Sequence, residues 1–184
     1  MTARPALLVV LGVVVVCGGY CVVDWFASAA HHRHHTRGTA CLSNLRQLGA
    51  ALMEYADDNA GRLPPKGTWV DACVPRVRSA WVFCCREDAD RACSYSINRW
   101  VEGKAVSGKD APLPAEAWVG VPLLFDSDTV GNGWNSLGGL AMVAPRHESG
   151  ANFAFADGHA KRQKPEDYAR LTWEPASGGT ASAP

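Results

Sequence analysis

The sequence predicts an α+β protein: an N-terminal transmembrane helix, then an amphipathic stem helix packed on a small antiparallel sheet. Three observations carry that expectation. Residues 6–23 form an apolar run without charge. Residues 39–56 repeat apolar side chains at helical spacing. Asn152-Phe153-Ala154-Phe155-Ala156 alternates large and small before Asp157-Gly158, as a half-buried strand entering a hairpin does.

A chain of 184 residues has room for one domain and an anchor. The expected division is an anchor or signal segment over 1–30, a linker and stem helix over 31–61, a head over 62–175 and a disordered tail over 176–184. Leu7 to Val23 approaches the ~20 residues that cross a bilayer core. Arg4 precedes it, and Trp25 and Phe26 follow as interface anchors. Ala27-Ser28-Ala29-Ala30 offers small residues to a signal peptidase, so a cleaved signal is the alternative. Either way the rest of the chain is exported. Arg33 and Arg37, just beyond the run, argue by charge bias for the opposite topology. His31, His32, Arg33, His34 and His35 read as a solvated linker, with metal binding as the other reading.

Eighteen Lys and Arg balance eighteen Asp and Glu. A neutral chain with no basic run lacks the footprint of a nucleic-acid binder. Of seven cysteines, Cys17 and Cys21 lie in the apolar run, and Cys41, Cys73, Cys84, Cys85 and Cys93 lie beyond it. Disulfides persist in an exported head, and an odd number of thiols leaves one without a partner in the chain. Spacing does not fix the connectivity. Cys85 with Cys93, closing a short polar loop, is the preferred pair.

In the stem, Leu42, Leu45, Leu48 or Gly49, Leu52, and Tyr55 or Ala56 form one stripe, with Arg46, Gln47, Glu54 and Asp57 elsewhere on the wheel. Asp57-Asp58-Asn59-Ala60-Gly61 ends the helix, Gly61 serving as cap and Pro64-Pro65 preventing continuation. Trp69 to Val77 reads as helical or turn-like, and Trp81-Val82-Phe83 as a strand. Cys84 to Arg91 is a polar loop and 102–116 an exposed excursion. Trp118 to Phe125 reads as a buried strand made irregular by Pro122, running into Asp126-Ser127-Asp128. Gly131-Asn132-Gly133 and Gly138-Gly139 mark a loop. Asp157-Gly158 favours a two-residue hairpin turn, and His159-Ala160-Lys161-Arg162 returns as the second strand.

Several of these segments, in order, resemble bacterial pseudopilin-like proteins related to type II secretion and type IV pilus components. They are C-L-S-N-L-R-Q-L-G (41–49), Y-A-D-D-N-A-G-R-L-P (55–64), W-V-F-C-C (81–85), L-L-F-D-S-D (123–128) and R-H-E-S-G-A-N-F-A-F-A-D-G-H (146–159). The last carries a His, nine residues, Asp-Gly signature built on His147, Asp157 and Gly158. The resemblance implies a long N-terminal helix on a small antiparallel sheet, a pilin-like head. It also implies single-pass display on the outer side of the bacterial inner membrane, or secretion if the signal is cleaved. Partners would be that membrane, other pseudopilin-like subunits and secretion-system components. The N-terminus departs from the pattern. Gly19-Tyr20-Cys21-Val22-Val23-Asp24 imitates a prepilin cleavage spacing, but the apolar run precedes it instead of following it. That puts peptidase processing and filament assembly in doubt.

Three acids, Asp126, Asp128 and Asp157, are hard oxygen ligands of the kind calcium takes, and some secretion pseudopilins bind calcium. His147, Asp157 and His159 offer a zinc or acid–base set. The plainer reading has His147 hydrogen-bonding the Asp157-Gly158 turn, with Asp157 stabilising its own turn. No phosphate loop, nucleophile elbow, zinc-protease helix or Cys-x-x-Cys pair is present. The expectation is therefore a structural or assembly protein of the envelope and not an enzyme. The alternative is an exported calcium- or ligand-binding module.

Overall fold

The computed structural model describes residue 28 and residues 38–88, 90–108, 118–128, 133–148 and 150–175. The chain divides into two units, Met1–Thr36 and Arg37–Pro184, and every element named below belongs to the second. Apart from Ser28, the expected anchor, the histidine run, the Gly19–Asp24 segment and the tail lie outside the described residues. Among the described residues no helix is long and apolar enough to cross a membrane.

The architecture is α+β, a helix on a five-stranded sheet. Among the described residues helix α1 covers 38–58. Its buried stripe is Cys41, Leu45, Leu48, Gly49, Leu52 and Ala56, the three- and four-residue rhythm expected, with Ala51 also inside. Leu42 and Tyr55 are only half-buried, so Cys41 takes the position that Leu42 was expected to hold. The helix ends as its sequence dictates. Gly61, at φ +78°, turns its N–H back to Ala56 O at 2.7 Å, closing the last turn before the prolines.

A short helix α2, Trp69–Cys73, runs on as a 3₁₀ turn, Val74–Arg76. The expected strand at 81–83 is instead a 3₁₀ turn, Ala80–Phe83, started by the Ser79 hydroxyl accepting the Trp81 N–H. Three apolar residues are too few to carry a period, and this turn buries Val82 and Phe83 while exposing Trp81.

The strands are β1 (Tyr95–Asn98), β2 (Pro122–Asp126), β3 (Leu137–Gly138), β4 (Ala151–Phe155) and β5 (Ala160–Gln163), in the order β3-β1-β2-β4-β5. A helical turn α3, Pro165–Tyr168, follows. Three pairings are antiparallel, but β3 joins β1 in parallel, so the sheet is mixed and not purely antiparallel. β3 falls on the Gly138-Gly139 segment expected as a loop. A Cβ at Gly138 would lie 2.6 Å from the Phe125 ring and 3.0 Å from Ser96, so glycine there answers to close strand packing. The irregularity expected at Pro122 is present as a register shift between Pro122 and Leu124.

β4 is buried on both faces, not one. Alternate residues look to α1 and away from it. Ala154 belongs to the cluster with Leu45, Leu48 and Leu52, whereas Phe153 and Phe155 join Phe125, Tyr168 and Trp173 beneath the C-terminal segment. The hairpin to β5 is also longer than expected. Phe155 N–H donates to His159 O and Gly158 N–H to Phe155 O, leaving a three-residue loop with Gly158 at φ +86°. That is the pattern of a type I turn followed by a left-handed residue, and glycine supplies the latter.

The helix lies close on β4: a Cβ built at Gly49 would come 3.1 Å from Ala154 Cβ. Gly49→Leu should therefore overpack this seam and cost about 1–3 kcal/mol. Leu52→Ala should cost about 2–5 kcal/mol by opening a cavity. Ser43→Ala, on the exposed face, should change little. Denaturant midpoints of the three variants measure this directly.

Candidate functional site

Four elements deliver four buried polar side chains to one place. Cys41 comes from the buried stripe of α1. Cys85 follows the 3₁₀ turn, its N–H donating to Ser94 Oγ at 2.9 Å, while Ser94 N–H donates to Phe83 O. This fastens the segment beside β1. His147 precedes β4, and its backbone exchanges two 2.9 Å hydrogen bonds with Gly150. Glu148 between them adopts φ +48° to make that tight bend. Asp126 ends β2, where its Oδ2 accepts the Asn152 N–H at 2.7 Å.

The two sulfurs are 3.0 Å apart, and Cys85 Sγ is 3.4 Å from His147 Nε2. The same Nε2 is 3.5 Å from Asp126 Oδ2. Cys41, Cys85 and Asp126 are fully buried and His147 is 2% exposed. Arg146, next to His147, ties the surroundings together by bonding Asp88, Ser127 O and Asp128.

The electrostatics follow from the crowding. The hydrogen bond from Cys85 lowers Cys41 to about 4 against the cost of burial, with His147 helping. The same contact and burial push Cys85 up. Burial opposes a charged His147, but Asp126 and Cys41 outweigh it and raise the imidazole to about 9. Burial raises Asp126, with His147 pulling the other way. Asp126 Oδ1 has no hydrogen-bond partner. A buried carboxyl oxygen left without a partner is costly, so the cluster keeps one unmet acceptor.

Thiol, imidazole and carboxylate together invite comparison with a nucleophilic triad. The geometry argues against one. Such a relay uses opposite ring nitrogens for nucleophile and acid, whereas here Cys85 and Asp126 both face Nε2. Neither thiol reaches solvent, although a cavity of about 350 Å³ lined by Asn44, Trp81 and Val82 lies against both. The arrangement suits holding something between the side chains better than attacking it.

Several expectations are corrected here. The calcium set is not assembled: Asp126 points inward, Asp128 is exposed beside Arg146, and Asp157 sits in the hairpin loop. Among the described residues the one group of three convergent ligating side chains is Cys41, Cys85 and His147. His147 serves neither the Asp157-Gly158 turn nor a set with His159. His159 stacks on Phe155 at 4.3 Å and bonds Asp157, whose carboxylate also accepts the His159 N–H. Asp157 stabilises its own turn, as expected. Cys85 and Cys93 do not pair. Cys93 directs its thiol to Tyr95 O, along β1, while Cys85 faces α1.

Sequence reasoning missed Cys41 as a site residue and gave Cys85 another partner, Cys93. A signal for them existed: C-L-S-N, W-V-F-C-C and R-H-E each contribute one member of the cluster. No family model, curated protein or solved structure matches the chain.

Breaking a buried charged pair by removing one partner costs about 3–5 kcal/mol. Asp126→Ala should therefore destabilise the head by that order, since it also leaves the Asn152 N–H bare. Asp157→Ala, at the loop, should cost about 1 kcal/mol, the worth of an ordinary hydrogen bond. Thermal unfolding of the two variants under one set of conditions separates them, and equal losses would contradict this assignment.

Proposed function

We propose that this chain is a pseudopilin-like structural protein of the bacterial envelope, its head carried at the outer face of the inner membrane by the apolar N-terminal segment. The observation that supports this best is the seating of α1. A helix entering from the N-terminal side lays one apolar stripe on a small sheet, and the R-H-E-S-G-A-N-F-A-F-A-D-G segment supplies the sheet's β4 and hairpin.

The site described above fits such a role as a fastening. It joins the first described turn of α1 to the segment after Phe83, to the end of β2 and to the approach to β4. The head presents Trp81 and Trp134 as exposed aromatics, 81% and 40% accessible, and aromatic side chains are favoured anchors of protein contacts.

The role is tested in cells of the source type with the full chain fused, after residue 175, to alkaline phosphatase, which is active only outside the cytoplasm. Active fusion confined to the membrane fraction is expected, with neighbouring subunits captured by photocrosslinkers placed at Trp81. Inactive fusion, or a full-length protein in the cytosol, would sink the proposal.

A further inference from the structure

We propose that Cys41, Cys85 and His147 form a binding site for a soft divalent metal ion of the zinc class, which pins the stem helix to the head. The inference goes beyond the envelope role and does not depend on it.

The donor chemistry selects the ion. Two sulfurs and one imidazole nitrogen are the ligands zinc takes in closed structural sites, while calcium and magnesium require oxygen. The spacing fits as well. Zinc holds sulfur at about 2.3 Å and imidazole nitrogen at about 2.0 Å, so tetrahedral ligation separates sulfur from nitrogen by about 3.5 Å and two sulfurs by about 3.8 Å. Cys85 Sγ and His147 Nε2 are already 3.4 Å apart. The sulfurs, at 3.0 Å, need to open by less than about 1 Å, within reach of small side-chain rotations. All three ligand atoms lie within 4.8 Å of one another, so a single ion can touch them all.

A second observation points to the same place independently of the cysteines. Asp126 is fully buried, lies beside the His147 ring nitrogen, and keeps Oδ1 without a hydrogen-bond partner. Folded proteins seldom leave such an oxygen bare. This carboxylate stands beside the imidazole and outside the three converging donors, where it acts on a bound ion through space. The ligands come from positions 41, 85 and 147, far apart in sequence, so the ion would cross-link α1, the segment after the 3₁₀ turn and the approach to β4. Binding that exists only in the folded state adds to folding stability.

A Cys41–Cys85 disulfide competes for the same sulfurs. It would form by loss of two electrons and two protons to an external thiol oxidant, and it would give the His147 ring nitrogen no part. Zinc uses both sulfurs and that nitrogen, with the thiol protons released to solvent as the ion binds.

The test uses the full-length protein in detergent, reduced, freed of metal and titrated anaerobically with Co²⁺, then with Zn²⁺. One equivalent of Co²⁺ with sulfur-to-metal charge-transfer absorption and tetrahedral visible bands, bleached by Zn²⁺, is expected. Cys85→Ser and His147→Gln should each weaken Zn²⁺ binding by more than the roughly 10–100-fold that loss of an outer-sphere partner costs. Cys73→Ser, whose thiol lies outside the cluster, should bind as the parent does. Circular dichroism checks that each variant is folded, and the titration of the parent stands even if a variant is not. The proposal is overturned if the folded, reduced parent takes up no Co²⁺, or if folded Cys85→Ser and His147→Gln bind like the parent. It is equally overturned if rapid alkylation in acid finds Cys41 and Cys85 joined as a disulfide in cells.

Discussion

The close approach of α1 to β4 is the contact on which the rest of the head depends. Gly49 and Ala154 allow it because neither carries a side chain that would hold the layers apart. A glycine inside a helix costs about 1 kcal/mol relative to alanine, a cost the seam offsets by bringing Leu45, Leu48 and Leu52 into full burial against the sheet. The alternation of β4 then acquires its meaning. Ala154 faces the helix, and Ala151, Phe153 and Phe155 go to the opposite face, where Phe125, Tyr168 and Trp173 pack with them. One strand thereby serves two cores.

The polar cluster is a consequence of that seam. Cys41 belongs to the same stripe as Leu45 and Leu48, one turn nearer the N-terminus, so the packing that buries the leucines also buries its thiol. Asn152, two residues before Ala154 on the same face of β4, donates through its side chain to Gly38 O and through its backbone to Asp126. The helix, the end of β2 and the start of β4 are therefore held at one corner by polar contacts and along their length by apolar ones. Apolar packing tolerates small slides of one layer over another. Hydrogen bonds and ligand geometry do not, so the corner fixes the register that the leucines alone would leave loose.

What the sequence revealed, and what it hid, follows from the range of the interactions involved. The α1 stripe, its Gly61 cap and the β4–β5 hairpin were legible because each is decided within a few residues. β1 was not: Tyr95-Ser96-Ile97-Asn98 mixes polar and apolar residues, yet all four are buried, the serine and asparagine being satisfied by Ser127, Ser136, Pro122 and Trp173 from distant segments. β3 was hidden by the same cause, since Gly138 signals a loop locally and a strand only once Phe125 lies across it. The site was half visible. His147 and Asp126 were singled out, but with the wrong companions, because neighbours in sequence such as Asp128 and Asp157 seemed the natural partners. Cys41 was read only as one of the head's thiols, with Leu42 given its place in the stripe, and nothing local brings position 41 to position 85.

The position of the cluster gives its chemistry a mechanical consequence. Were the head carried by a segment on its N-terminal side, as proposed, any pull would reach the first described turn of α1 before it reached Leu45 and Leu48. From residue 38, the first described residue of α1, to Cys41 is less than one turn, about 4–5 Å along the axis. A fastening at Cys41 therefore meets the load before Leu45 and Leu48 do, and it resists peeling with short, directional contacts where apolar contacts would yield one after another. Placed near Ala56, the same cluster would add similar stability at rest and leave the turns holding Leu45 and Leu48 free to unwind. A corner clamp protects the seam at the point where unzipping would begin.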